Sequence, residues 1–145
     1  MIALIQRVSR AGVTVEGSEV ARIGGGMLAL VGVEASDSPG NARALVKKLL
    51  TFRMFADEAG KMNRNLRQVN GELLLVPQFT LVADTHQGNR PGFSRGAPVA
   101  RARDLFSQTV LMAAEQLPGV ASGVFGAHMQ VELVNDGPVT FWIKA

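Results

Sequence analysis

The chain contains no cysteine in its 145 residues and only two histidines. Without thiols there are no disulfides and no thiolate nucleophile, which fits a reducing compartment. His86 and His128 stand far apart, with none of the spacing a zinc site needs, and each reads as a loop or surface residue. No apolar run approaches the roughly 20 residues of a membrane span. The greasiest stretch, Met27 to Val33, is too short. At the N-terminus apolar residues precede Arg7 and Arg10, the reverse of a secretory signal. These absences predict a cytoplasmic protein needing no membrane, metal or cofactor. Low-complexity tracts, internal repeats and linkers are also missing, so a single ordered domain over residues 1–145 is expected.

The formal net charge of +3 is too small to diagnose nucleic-acid binding. Its distribution says more. Arg90, Arg95, Arg101 and Arg103 follow Asp84 with no other acid before Asp104, in and after a loop rich in glycine and proline that suits phosphate contacts. A second group, Lys47, Lys48, Arg53, Lys61, Arg64 and Arg67, reads equally well as a solvated face.

Period-two apolar patterns predict strands over Ile2 to Val8, Gly12 to Glu16 and Val20 to Ile23, with a hairpin at Gly17-Ser18-Glu19. Gly24-Gly25-Gly26 opens a buried strand from Met27 to Val33. No Gly-Lys-Ser/Thr follows these glycines and a strand comes next, so they are not a phosphate loop. Ser38-Pro39 marks a helix start, and Leu45, Val46, Leu49, Leu50 and Phe52 recur at helical spacing. A short strand over Arg53 to Ala56 follows, and Asn70-Gly71 is a turn. Pro98 to Gln116 predicts a second helix, with Leu105, Phe106, Val110, Leu111, Ala114 and Leu117 inward. Strands over Val120 to Phe125, Met129 to Val134 and Val139 to Ile143 complete the pattern. Two helices cannot cover both faces of so many strands, so the expected class is α+β, with a curled or barrel-like sheet.

Two segments carry the functional signal. Asn135-Asp136-Gly137-Pro138-Val139-Thr140 places a Gly-Pro turn between two strand-like runs. A cis bond is accessible at such a turn and would aim its carbonyls to one side; an ordinary hairpin reversal explains the residues as well. Glu72 to Ala83 reads as one apolar strand interrupted by Pro77, which implies an edge, bulge or bend. Gln78 and Thr80 are the polar residues just after it, and a disrupted strand exposes N–H groups able to stabilise an oxyanion. A plain edge strand would also account for them. Thr80 has no evident general base and Ser94 lacks a nucleophile elbow, so covalent catalysis is poorly supported.

Taken with Met1 to Val8, Gly60-Lys61-Met62-Asn63, Ala83-Asp84-Thr85, Arg90-Pro91 and Phe93-Ser94, these motifs make the chain similar to the D-aminoacyl-tRNA deacylases over essentially its whole length. These small editing enzymes, the D-tyrosyl-tRNA(Tyr) deacylase family, cleave the ester between a D-amino acid and tRNA. The resemblance implies a barrel-like sheet with helices packed outside and a pocket built mostly of main-chain atoms. It places catalysis at Gln78, Phe79 and Thr80, with the substrate's 2′-hydroxyl assisting. It further implies a homodimer in which Gly137-Pro138, cis in the family, enters the partner's site, takes the amino group and rejects L-amino acids. Glycyl-tRNA would escape that check. Arg7 would hold the turn, or form a surface ion pair. Arg90 and Arg95 would contact tRNA, and Met129 would line the pocket or belong to the core. Pro77 stands where the family usually has serine, as in a related branch that edits an L-threonine mischarge. That leaves L-aminoacyl editing as an alternative, beside a non-catalytic nucleic-acid-binding protein and a small-molecule esterase.

Overall fold

The computed structural model describes residues 1–86 and 88–145. Its frame is one long strand, β1 (Ile2–Val15), which bends enough to serve two neighbours along the same edge. Its first half pairs antiparallel with β3 (Gly26–Gly32), its second half with β2 (Ser18–Ile23). The two-residue reversal before β2 lies at Glu16-Gly17, both at positive φ, one step earlier than the expected hairpin. The expected break between Val8 and Gly12 is only a pair of register shifts within β1.

Helix α1 (Pro39–Thr51) starts where Ser38-Pro39 predicts, and Asn41 Oδ1 accepts hydrogen bonds from the Ser38 N–H at 3.0 Å and hydroxyl at 2.8 Å. A small hairpin, β4 (Phe55–Ala56) with β5 (Met62–Arg64), follows. β6 (Glu72–Pro77) then runs parallel to β3. After a 3₁₀ turn (Phe79–Val82) and a long loop comes α2 (Val99–Ala114). β7 (Val120–Ser122) adds parallel to β6, and β8 (Gln130–Lys144) pairs antiparallel along β1.

Alternation along the central strands sorts the core into two layers. Met27, Ala29 and Val31 of β3, with Leu73 and Leu75 of β6, face the helices. Leu28, Leu74 and Val76 face a second cluster with Val8, Ala11, Val13, Ala21 and Ile23. This second cluster fills the curl, because β2 comes round against β6 and β7. Strands buried on both faces read as unbroken apolar runs. The curl needs close backbones: a Cβ on Gly26 would lie 2.0 Å from the Glu72 carbonyl oxygen. The expected curled sheet with two helices outside is the observed architecture.

Three expectations change. In α2 the inward stripe is Ala102, Leu105, Phe106, Thr109 and Ala113, while Leu111 is 64% exposed and Ala114 is also outside. The Thr109 hydroxyl donates to the Leu105 carbonyl at 2.7 Å, which lets a polar residue occupy the buried face. The strand expected over Glu72 to Ala83 stops at Pro77. The Gly-Pro segment is no hairpin either. β8 continues through it, and the insertion bulges outward as β1 advances from Gln6 to Val8 while β8 goes from Thr140 to Asn135.

Candidate active site

The end of β6 explains its proline. Leu73 N–H donates to Gly119 and the Leu75 carbonyl accepts from Gly123, both toward β7, whereas Gln78 N–H donates 2.7 Å to the Val31 carbonyl on β3. By alternation Pro77 faces the β7 side, beyond the last β7 residue, so its missing donor removes no ladder bond. The chain then tightens into the 3₁₀ turn, whose first bond is Leu81 N–H to the Gln78 carbonyl at 3.2 Å. The N–H groups of Phe79 and Thr80 precede that bond and have no partner within the turn. The Gln78 side-chain amide donates to the Thr80 hydroxyl oxygen, leaving that hydroxyl's proton available.

This turn forms one lip of an apolar cleft of about 250 Å³, lined by Pro77, Gln78, Phe79, Phe93, Phe106 and Phe125 among others. Phe79 is 64% exposed and its ring centroid lies 5.2 Å from that of Phe93. The opposite wall belongs to α2 and to the turn after β7. By pattern alone Phe106 belongs to the inward face of α2 and Phe125 to a strand end, while Phe93 enters only through the family motif Phe93-Ser94. Their convergence depends on parallel β6–β7 pairing, which no local pattern reveals.

Arg95 helps fasten the loop that closes this cleft. Its guanidinium lies 3.2 Å from Glu34 Oε1, and its carbonyl accepts from Ala35 N–H at 2.9 Å. Glu34 also meets Lys144 at 2.6 Å. Burial works to raise the Glu34 pKa, but hydrogen bonding and charge from Lys144, aided by Arg95, outweigh it and hold the carboxyl below its ordinary value. Arg90 is exposed in the loop pinched shut by reciprocal bonds between Asp84 and Gly92 at 2.7 and 2.8 Å. Met129 is half-buried against the cluster inside the curl, with its sulfur 3.3 Å from Val124 N–H. No group of three or more potential metal ligands occurs among the described residues.

The Gly137-Pro138 bond is cis, and both residues are exposed on the bulge of β8. Asn135 stitches the bulge's base: its Oδ1 accepts from Val139 N–H at 2.7 Å, and its amide donates to Gln6 Oε1 at 3.1 Å. Arg7 reaches over from β1. Its Nε donates to the Asp136 carbonyl at 2.8 Å and lies 3.3 Å from the Asp136 carboxylate, while Nη1 donates to the Met54 carbonyl at 2.9 Å. Of the readings open for Arg7, the geometry combines both, an ion pair and a brace.

Within one chain the bulge and the Gln78–Thr80 turn stand apart. The bulge sits beside Arg7, level with Met27 and Leu73 across the sheet, whereas Gln78 follows the far end of β6. At about 3.3 Å per residue that is about 16 Å along the strands. Nothing in the local patterns of the two segments shows this separation; only the family resemblance, with the turn entering a partner's site, implies it.

The model for D-Tyr-tRNA(Tyr) deacylase matches residues 4–144. A D-aminoacyl-tRNA deacylase of Xanthomonas euvesicatoria is 57% identical over 145 residues, covering 99% of each chain. Among solved structures, the c-Myc DNA unwinding element binding protein superposes with a TM-score of 0.95 at 35% identity, covering 100% of this chain and 99% of its own. A probable eukaryotic D-amino acid tRNA deacylase shares the fold, with a TM-score of 0.86 at 16% identity over 99% of this chain and 98% of its own. The chain belongs to the D-Tyr-tRNA(Tyr) deacylase family.

Proposed function

We propose that this protein hydrolyses the ester joining a D-amino acid to the 3′ end of tRNA, releasing the free amino acid and intact tRNA. The reading rests on one observation above all. Two backbone donors without a partner among the described residues, Phe79 N–H and Thr80 N–H, sit on the turn that forms one lip of an apolar cleft, on the segment that carries the family motif. An aminoacyl ester is already activated. It needs a held carbonyl, donors for the oxyanion and an attacking water. Water adds to the carbonyl carbon, the bond to the ribose oxygen breaks, and that oxygen takes the proton, with the neighbouring 2′-hydroxyl assisting. Thr80 positions through its hydroxyl; its partner is the Gln78 amide rather than a base, so it is no nucleophile.

Chirality is checked by the Gly137-Pro138 bulge of a second copy. Its carbonyls take the substrate amino group, and its wall meets the side chain of an L-amino acid. The separation of about 16 Å in one chain supports a site that bulge and turn share across a homodimer. Glycyl-tRNA, lacking a side chain, is a further substrate. Arg90 and Arg95 border the path of the tRNA backbone, and the reaction takes place in the cytoplasm.

The test follows amino-acid release from D- and L-aminoacylated tRNA, glycyl-tRNA and small D-aminoacyl esters. Cleavage of the D- and glycyl-tRNAs with sparing of L-tRNA is expected. Preferential cleavage of an L-aminoacyl-tRNA would make this an L-editing enzyme. Equal turnover of small esters would make it a general esterase, and affinity without turnover a nucleic-acid-binding protein.

A further inference from the structure

Four arginines follow Asp84 in or beside the cleft loop, and their partners differ. Arg95 is held by the Glu34 carboxylate, and Arg101 donates to the Asp37 carbonyl. Arg103 is exposed in the second turn of α2, with its guanidinium carbon 5.5 Å from the centre of the Phe125 ring. It pairs with no carboxylate among the described residues. Phe125 lines the cleft and its ring lies 6.3 Å from that of Phe106, so Arg103 stands at the rim on the α2 side, across from Phe79.

A guanidinium laid over an aromatic face keeps its planar N–H edge free while losing much of its rotamer freedom beforehand. Such an edge suits the bidentate geometry of a phosphate. The cleft ends at the turn where the ester would be held, so a terminal nucleoside joined to that ester leaves its 5′ side at the rim. We propose that Arg103, fixed by Phe125, binds the phosphate linking the last two nucleotides of the tRNA. It acts as a positioning residue that draws the single-stranded 3′ end into the cleft. This rests on the deacylase reading above.

The test compares Arg103→Gln with the parent on two substrates, a D-aminoacylated RNA minihelix with a single-stranded 3′ end and 3′-(D-aminoacyl)adenosine, which has no phosphate. For the minihelix KM should rise about tenfold with kcat unchanged, the loss of one charge-assisted phosphate contact. The salt dependence of log Kd should become shallower by about 0.7, as for one phosphate on a single strand. On the nucleoside ester kcat/KM should stay within about twofold. Equal losses on both substrates, or no loss on either, overturn the proposal. Arg103→Lys, which keeps the charge without the fork, should recover only part of the affinity. Anisotropy with the uncharged minihelix reads the same contact without hydrolysis. If the parent binds this RNA yet cleaves neither ester, the deacylase reading fails, while Kd values for parent and Arg103→Gln still decide the contact: a rise of about tenfold supports it and equal values overturn it.

Discussion

If one site is assembled from two copies, two inactive variants should rescue each other when mixed. Phe79→Pro supplies the first. Proline is accepted at the first position of a helical turn, where the N–H has no role in the turn, and Gln78 before it is already non-helical at φ −137 and ψ 80. The change deletes one proposed oxyanion donor, worth about 10²–10³ in kcat. Phe79→Leu keeps the donor and separates its effect from that of the ring. Gly137→Ala supplies the second, because a Cβ there would lie 2.6 Å from both the backbone nitrogen and Cγ2 of Val139, forcing the bulge to reshape. In randomly reassorted dimers half are mixed, and each mixed dimer has one site with both parts intact and one with neither. The mixture should therefore recover about one quarter of parental activity, far above either variant alone. The assay is release of amino acid from D-aminoacyl-tRNA after joint refolding, with mixed dimers counted by native mass spectrometry. Mixed dimers that form but show only the sum of the separate activities would refute the shared site, as would a fully active monomer.

Arg7→Ala removes two hydrogen bonds from a cation, each roughly 1.5–3 kcal/mol, and leaves the buried Met54 carbonyl without its partner. A loss of about 3 kcal/mol in urea unfolding is expected, together with about a tenfold fall in preference for D- over L-aminoacyl-tRNA; an unchanged variant would show that the brace is idle. Gly26→Ala forces a Cβ against the Glu72 carbonyl and should cost about 3 kcal/mol, read as a fall of about 6–12 °C in Tm for a chain of this size. Glu34→Gln tests the pinned loop through pH. Because the folded carboxyl titrates below its ordinary value of 4.5, its contribution is fully present above that pH and is lost as pH falls through the lowered value. The stability gap between parent and variant should be constant near neutrality and close in acid, and a gap independent of pH would remove the ion pairs as its cause.

Much of the architecture was legible because the central strands are simple. Met27 to Val33 and Leu73 to Val76 are buried on both faces, and their apolar runs announce that directly. Pro77 announced a disruption but not its kind. Whether the chain bends, bulges or stops depends on where β7 ends, and that is set by a pairing nearly fifty residues away in sequence. In α2 the pattern found Leu105, Phe106, Val110 and Leu117 but misplaced Leu111 and missed Thr109, because leucines outweigh a threonine in any apolar pattern. Thr109 satisfies its hydroxyl within its own helix, so burying it costs little, and Leu111 is left outside. The Gly-Pro segment was recognised as special, yet the chain there looks like two strands and a reversal. Only the shared partner β1 shows that both halves are one strand with an outward insertion.

On the proposed reading, that insertion is what makes a pocket with few reactive side chains selective. Side chains move among rotamers, whereas a bulge held at its base by Asn135 and braced by Arg7 presents carbonyls fixed by the sheet itself. The same holds for the Phe79 and Thr80 donors, which follow directly from a strand anchored to Val31. Both halves of the proposed chemistry therefore derive their placement from strand ends and strand irregularities, where backbone groups are released from the ladder but remain attached to it. Such a site cannot be tuned by exchanging one reactive residue for another. Changing its stereochemical preference requires reshaping main chain, so substitutions that alter selectivity should fall at Gly137, Asn135 and Arg7 rather than among the aromatic residues of the cleft.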